Sequence, residues 1–172
     1  MARNIVLIGF MGVGKTSVGK RLSVQLGYTF VDTDLLIVER AGKPIPQIFA
    51  EEGEPRFREW EKSVIRELSQ QENLIIATGG GATVDPDNVR ALRERGMVFL
   101  LTAKPSIILK RVGDRRTRPM LANVEDPFAH ILELGAKRAP FYERASDAVI
   151  ETTDRGQETV LEEILRLYSA TP

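Results

Sequence analysis

Short apolar runs alternate along the chain with longer stretches of helical periodicity. Near-continuous apolar segments fall at 5–8, 29–31, 74–77, 97–101 and 148–150. Their length and lack of alternation suit strands buried in a parallel sheet. Between them, Val18, Leu22 and Leu26 share one face of a helix over 16–26, and Phe57, Trp60, Val64, Ile65 and Leu68 share the face of another. Helix starts are marked where a capping carboxylate precedes proline, at Asp85-Pro86 and Asp126-Pro127, with Lys104-Pro105 as a third. This alternation predicts an α/β fold with a parallel sheet. Two stretches depart from it. Residues 35–68 insert two or three helices between the second and third strands, and residues 113–126, arginine-rich with little apolar periodicity, read as a mobile lid. A helical pattern from Phe128 is expected to be interrupted at Pro140.

At 172 residues, with 42% apolar and 28% charged positions, the chain predicts one domain over 1–172 with a core of ordinary size. Lysine plus arginine and aspartate plus glutamate both number 24. The resulting zero net charge supplies no global field toward nucleic acid or an anionic membrane, so neither is expected as a partner. There is no cysteine and one histidine, His130, which removes thiolate chemistry and leaves a hard cation held by oxygens as the expected metal. The first apolar run is already a strand, and no run approaches the length of a membrane span, which predicts a cytoplasmic protein without targeting segments. His130 and Trp60 read as packing or surface residues.

The segment Gly9-Phe10-Met11-Gly12-Val13-Gly14-Lys15-Thr16 matches G-x-x-x-x-G-K-[ST] in full. Glycines there let backbone N–H groups curl around a phosphate, Lys15 reaches the β/γ oxygens and the Thr16 hydroxyl can ligate Mg²⁺. Asp32 and Asp34 follow the second strand two residues apart. On an extended chain both carboxylates face one way, one suited to Mg²⁺ and one to a hydroxyl; alternatively, Thr33 or Asp34 merely caps a helix starting at Leu35. Glu61 sits on the apolar face of its helix three residues after Arg58, which makes either a preorganised guanidinium fork for an anionic substrate or a simple surface ion pair. Thr78-Gly79-Gly80-Gly81 forms a second glycine turn at the carboxyl edge of the sheet. Arg111, Arg115, Arg116 and Arg118 cluster around the expected lid. Phosphate clamping by a closing loop fits them better than a nucleic-acid patch, with Arg115 and Arg116 solvated.

Taken together, the phosphate loop, Asp32-x-Asp34, Gly53-Glu54-x-x-Phe57-Arg58-x-x-Glu61, Thr78-Gly79-Gly80-Gly81, Arg118-Pro119-Met120-Leu121 and Arg138-Ala139-Pro140 resemble shikimate kinase over 3–155. The resemblance implies a nucleoside-monophosphate-kinase-like phosphate-loop fold with a five-stranded parallel sheet in the order 2-3-1-4-5, flanking helices, a substrate-binding region about 33–61 and a lid about 113–126. It implies transfer of the ATP γ-phosphate to the 3-hydroxyl of shikimate in aromatic amino acid biosynthesis. The ATP site would comprise Gly12, Val13, Gly14, Lys15, Thr16, Ser17, Arg111, Arg118 and Arg155, with Thr16 and, through water, Asp32 holding Mg²⁺. Lys15, Asp34 and Arg118 would act catalytically, Asp34 on the reacting hydroxyl. Arg58 and Arg138 would clamp the carboxylate, Glu61 would orient Arg58, and Gly79, Gly80 and Gly81 would meet substrate. A monomer is expected. The usual Arg-Pro-Leu appears as Arg118-Pro119-Met120, a volume-conserving change.

Other readings predict other residues. A kinase for another small hydroxy acid or a nucleoside monophosphate would share the loop and lid. A GTPase switch would carry D-x-x-G, yet no aspartate has glycine three positions on.

Overall fold

The computed structural model describes residues 3–112 and 124–170. Arg115, Arg116 and Arg118, and the expected lid up to residue 123, lie outside the described residues. Five strands, β1 (Asn4–Ile8), β2 (Thr29–Asp32), β3 (Leu74–Ala77), β4 (Gly96–Thr102) and β5 (Ala148–Glu151), form one sheet in the order β2-β3-β1-β4-β5. All four pairings are parallel, with Val6 opposite Ile76 on one side and Val98 on the other. The central strands are apolar apart from their ends, such as Asn4 and Thr102, because helices cover both faces, and every residue of β1 and β3 is buried. The edge strands β2 and β5 are more exposed and more polar.

Among the described residues seven α-helices flank the sheet: α1 (Lys15–Leu26), α2 (Thr33–Ala41), α3 (Ile45–Leu68), α4 (Pro86–Arg95), α5 (Pro105–Val112), α6 (Pro127–Ala145) and α7 (Gln157–Ala170). Val18 and Leu22 of α1, and Val64, Ile65 and Leu68 of α3, are buried as their periodicity requires. The inserted region is two helical elements, the second divided at Gly53, whose φ of 84° and ψ of 165° interrupt α3. Phe57, Arg58 and Glu61 therefore ride on a helical segment with its own start. Asp85 and Asp126 cap α4 and α6 as expected, each accepting backbone N–H bonds ahead of a proline.

Two expectations are corrected. Helix α2 begins at Thr33, and its cap is Asp32, which accepts from the N–H groups of Asp34 and Leu35. Neither Thr33 nor Asp34 plays that part, and Asp34 lies in the first helical turn rather than on extended chain. Helix α6 passes through Pro140 without ending. The proline removes one i to i−4 bond, but Ile131, Arg138, Tyr142 and Ala145 are buried along the same helix and their packing holds it. Finally, α7 closes the fold by packing on α1 and β5, burying Val160, Leu161 and Ile164.

Candidate active site

The phosphate loop connects β1 to α1. Gly9 adopts a φ of 135°, and a Cβ there would stand 2.3 Å from the Leu101 carbonyl oxygen, a backbone atom of β4. Only glycine lets the chain turn this close to the sheet. The loop delivers its N–H groups and the N-terminus of α1 to one spot, an arrangement that attracts anions. Lys15 Nζ donates to the carbonyls of Gly9 (2.7 Å) and Phe10 (2.8 Å), so its ammonium lies over the loop.

Thr16 and Asp32 meet at the next layer. The Thr16 hydroxyl donates to Asp32 Oδ2 at 3.0 Å, and Asp32 Oδ1 accepts from the N–H of Asp34 (3.0 Å) and Leu35 (3.3 Å). The cap that starts α2 thus also aims the Asp32 carboxylate at the phosphate loop. A hydroxyl and one carboxylate beside a phosphate cradle match what Mg²⁺ uses when phosphates and water complete its shell. A cleft of about 280 Å³ runs from Gly12, Lys15, Thr16 and Ser17 past Asp32 and Asp34 to Gly79 and Gly80.

The glycine turn after β3 is where the acceptor side converges. A Cβ at Gly79 would lie 2.7 Å from Asp34 Oδ1 and 3.0 Å from Glu61 Oε2; one at Gly80 would lie 3.0 Å from Arg138 Nη1; one at Gly81 would lie 2.6 Å from Arg58 Nη2. Each glycine admits a different functional side chain, which is why one would not suffice. The Gly79 N–H donates to Thr33 Oγ1 at 3.1 Å, a fully buried bond tying the turn to the start of α2. Neither the Gly80 nor the Gly81 N–H donates a hydrogen bond among the described residues.

Arg58 Nη1 donates to Glu61 Oε1 at 2.9 Å, and Glu54 accepts from Arg58 Nη2 at 2.9 Å. The pair is no surface bridge, because Glu61 is only 1% exposed. Burial pushes the Glu61 carboxyl above the usual range, Arg58 pulls it back and Asp34 adds to the rise. Desolvation works against the Arg58 charge, but Glu61 and Glu54 outweigh it and the guanidinium is held above its ordinary value. Glu61 Oε2 is buried without a hydrogen bond among the described residues, a spare acceptor facing the turn. Across the turn, Arg138 is buried on α6, 5.8 Å from the Phe10 ring centroid. No carboxylate among the described residues lies within ion-pair distance of it.

The nucleotide-side arginines are engaged with backbone. Arg111 Nη1 donates to the carbonyls of Gly12 and Val13 (3.5 Å each), and its Nη2 to the Thr152 carbonyl at 3.2 Å. Arg155 donates to the Glu151 carbonyl at 3.1 Å and pairs with Glu163 at 2.6 Å, away from the cleft. Ser17 Oγ accepts from Gln157. Sequence reasoning overlooked Thr33 and Tyr142 as site-building residues. Thr33 lies between the two paired aspartates, and Tyr142 one helical turn after Arg138. Thr152, at the start of the stretch 152–157 where the resemblance places the family's adenine loop, donates from Oγ1 to the Val13 carbonyl at 3.0 Å.

A phosphate loop on the first strand of a parallel 2-3-1-4-5 sheet, with an acid-lined cleft at the strands' carboxyl ends, defines a phosphate-loop protein of the nucleoside-monophosphate-kinase-like class. A profile of the family described as shikimate kinase matches residues 11–169. A shikimate kinase of Caldanaerobacter subterraneus subsp. tengcongensis is 45% identical over 166 residues, 96% of each chain. The shikimate kinase of Acinetobacter baumannii, solved in complex with shikimate, superposes with a TM-score of 0.94 at 36% identity, covering 99% of this chain and 94% of that one. A gluconokinase from Sinorhizobium meliloti, at 14% identity and a TM-score of 0.57 over 97% and 91% of the two chains, shares the fold alone. The chain belongs to the shikimate kinase family.

Proposed function

We propose that this protein transfers the γ-phosphate of ATP to the 3-hydroxyl of shikimate, giving shikimate 3-phosphate for aromatic amino acid biosynthesis. The observation that carries the proposal is the glycine turn 79–81. One cleft joins the phosphate loop to that turn, and the turn is flanked by Asp34 and Glu61, by Arg138 and by Arg58. Two guanidiniums and two carboxyls around a phosphate site are what a small hydroxy acid requires.

In this reading Lys15 leaves its loop carbonyls for the β/γ phosphates, and Thr16 and Asp32 hold Mg²⁺, Asp32 through water. The metal, when bound, neutralises charge on the phosphates. Arg58 and Arg138 clamp the acceptor's carboxylate, Glu61 keeps Arg58 in place and offers Oε2 to a hydroxyl, and Asp34 aims the 3-hydroxyl and takes its proton. Asp34 sits beside Glu61, and its charge adds to the rise of the Glu61 carboxyl. Arg118 adds charge on the γ-phosphate from the lid, on the strength of the family motif. Arg111 and Arg155 border the adenine end. The enzyme works as a cytoplasmic monomer; no helix among the described residues is long and apolar enough to cross a membrane.

The test is ADP release by purified protein in the presence of Mg²⁺ and a panel of acids comprising shikimate, quinate and gluconate. Shikimate-dependent turnover with little or no response to the others is expected. Indifference to shikimate overturns the proposal.

A further inference from the structure

Tyr142 takes no part in the chemistry described so far, yet it is 6% exposed and its phenol donates to the Gly80 carbonyl at 2.6 Å. The Arg138 guanidinium, one helical turn back on α6, lies on the same side of the turn: a Cβ at Gly80 would stand 3.0 Å from Arg138 Nη1 and 3.6 Å from the Tyr142 oxygen. Guanidinium, phenol and peptide carbonyl thus meet at one corner of the acceptor site. Burial, the largest influence, pushes the phenol up to about 12 despite Arg138, so it remains a donor throughout the working range of an enzyme.

The geometric consequence concerns the peptide between Gly80 and Gly81. A trans peptide is planar, with its N–H opposite its C=O. Holding the Gly80 carbonyl therefore also sets the direction of the Gly81 N–H, one of the two turn donors without a partner among the described residues. Glycines have no side chains to hold such a plane, and the flanking Gly79 is tied to Thr33 through its N–H and to Ala82 through its carbonyl, neither of which fixes the 80–81 peptide. Arg138 itself has the Phe10 ring on one side and no ion-pairing carboxylate among the described residues. The Tyr142 phenol is the polar group beside it on α6.

We propose that Tyr142 is a positioning residue of the acceptor site, its buried phenol setting Arg138 and the 80–81 peptide in register to receive the substrate carboxylate. The inference rests on the acid-clamp reading of Arg138. The phenol touches no reacting atom, and its effect is confined to the acceptor.

Steady-state kinetics of Tyr142→Phe with shikimate and with methyl shikimate, which lacks the negative charge, test this. Losing this buried hydrogen bond and leaving the Gly80 carbonyl unpaired corresponds to a rise in shikimate KM of about 5- to 30-fold. The ATP KM and kcat should stay within about twofold, and the preference for acid over ester should shrink toward that of Arg138→Ala. An unchanged shikimate KM in a folded variant, or equal losses for acid and ester, overturns the role of Tyr142. If Arg138→Ala abolishes the acid preference while Tyr142→Phe leaves it intact, only this inference fails; if Arg138→Ala keeps the preference, the clamp itself is misassigned. Should Tyr142→Phe not fold, Tyr142→3,5-difluorotyrosine retains the ring and ionises at lower pH. Its shikimate KM should then climb with pH relative to the parent enzyme, and a parallel profile overturns the proposal.

Discussion

The two ends of the cleft are built by different means. The phosphate end comes from consecutive residues, Gly9 to Thr16, and does its work with backbone held against β4; the acceptor end is assembled from α2, α3, the turn after β3, and α6, and works through side chains. A backbone site is rigid because its geometry is that of the sheet, whereas an assembled site depends on bonds between elements, such as Gly79 to Thr33 and Gly80 to Tyr142. Damage to the first should register as lost fold or lost chemistry. Damage to the second should register as lost recognition of the acid.

The sharpest separation should come from Asp34→Asn, where the two ends meet. Its kcat should fall by about 10²- to 10⁴-fold, with the affinity for a fluorescent ATP analogue changed less than about twofold; a parallel loss of nucleotide affinity would place Asp34 with the phosphate end. Next comes a pair of glycine substitutions. Gly9→Ala drives a methyl into the Leu101 carbonyl in a left-handed conformation and should lower unfolding free energy in urea by about 3–5 kcal/mol. Gly81→Ala instead meets the end of the Arg58 side chain, which can yield, so stability should fall by only about 1 kcal/mol while shikimate KM rises about tenfold. Equal destabilisation by both would erase the distinction between the two ends.

The smallest effect concerns Glu61. Its carboxyl is raised in the folded protein, so the stability it contributes is fully present below the unfolded value near 4.5 and is lost as pH rises through the folded value. Unfolding midpoints measured from pH 4 to 7 should therefore shift in favour of Glu61→Gln as pH rises. The opposite slope would mean that Arg58, rather than burial, governs this carboxyl.

Legibility in the sequence follows the same division. The loop from Gly9 to Thr16 is read from spacing alone because one short segment contains its whole geometry. The Arg58 to Glu61 pair is legible from an i to i+3 spacing with a carboxylate on an apolar face, although only the fold shows that the bond is buried. Strand order and the meeting of Arg138 with Gly80 join residues far apart in sequence and follow from family resemblance, not from periodicity. The misread places are those where tertiary packing overrides a local rule. Pro140 is carried inside α6 by the residues buried around it, and Asp32 takes the cap because the strand ends one residue later than its apolar run. Helix α7 carries apolar residues at Val160, Leu161, Ile164, Leu165, Leu167 and Tyr168, a helical periodicity present in the sequence but not read from it.

Lys15 spans its own loop in the structure, with its ammonium shared between the Gly9 and Phe10 carbonyls. Arrival of a triphosphate is thus an exchange rather than a gain, since the cation must leave two neutral oxygens before it can serve charged ones.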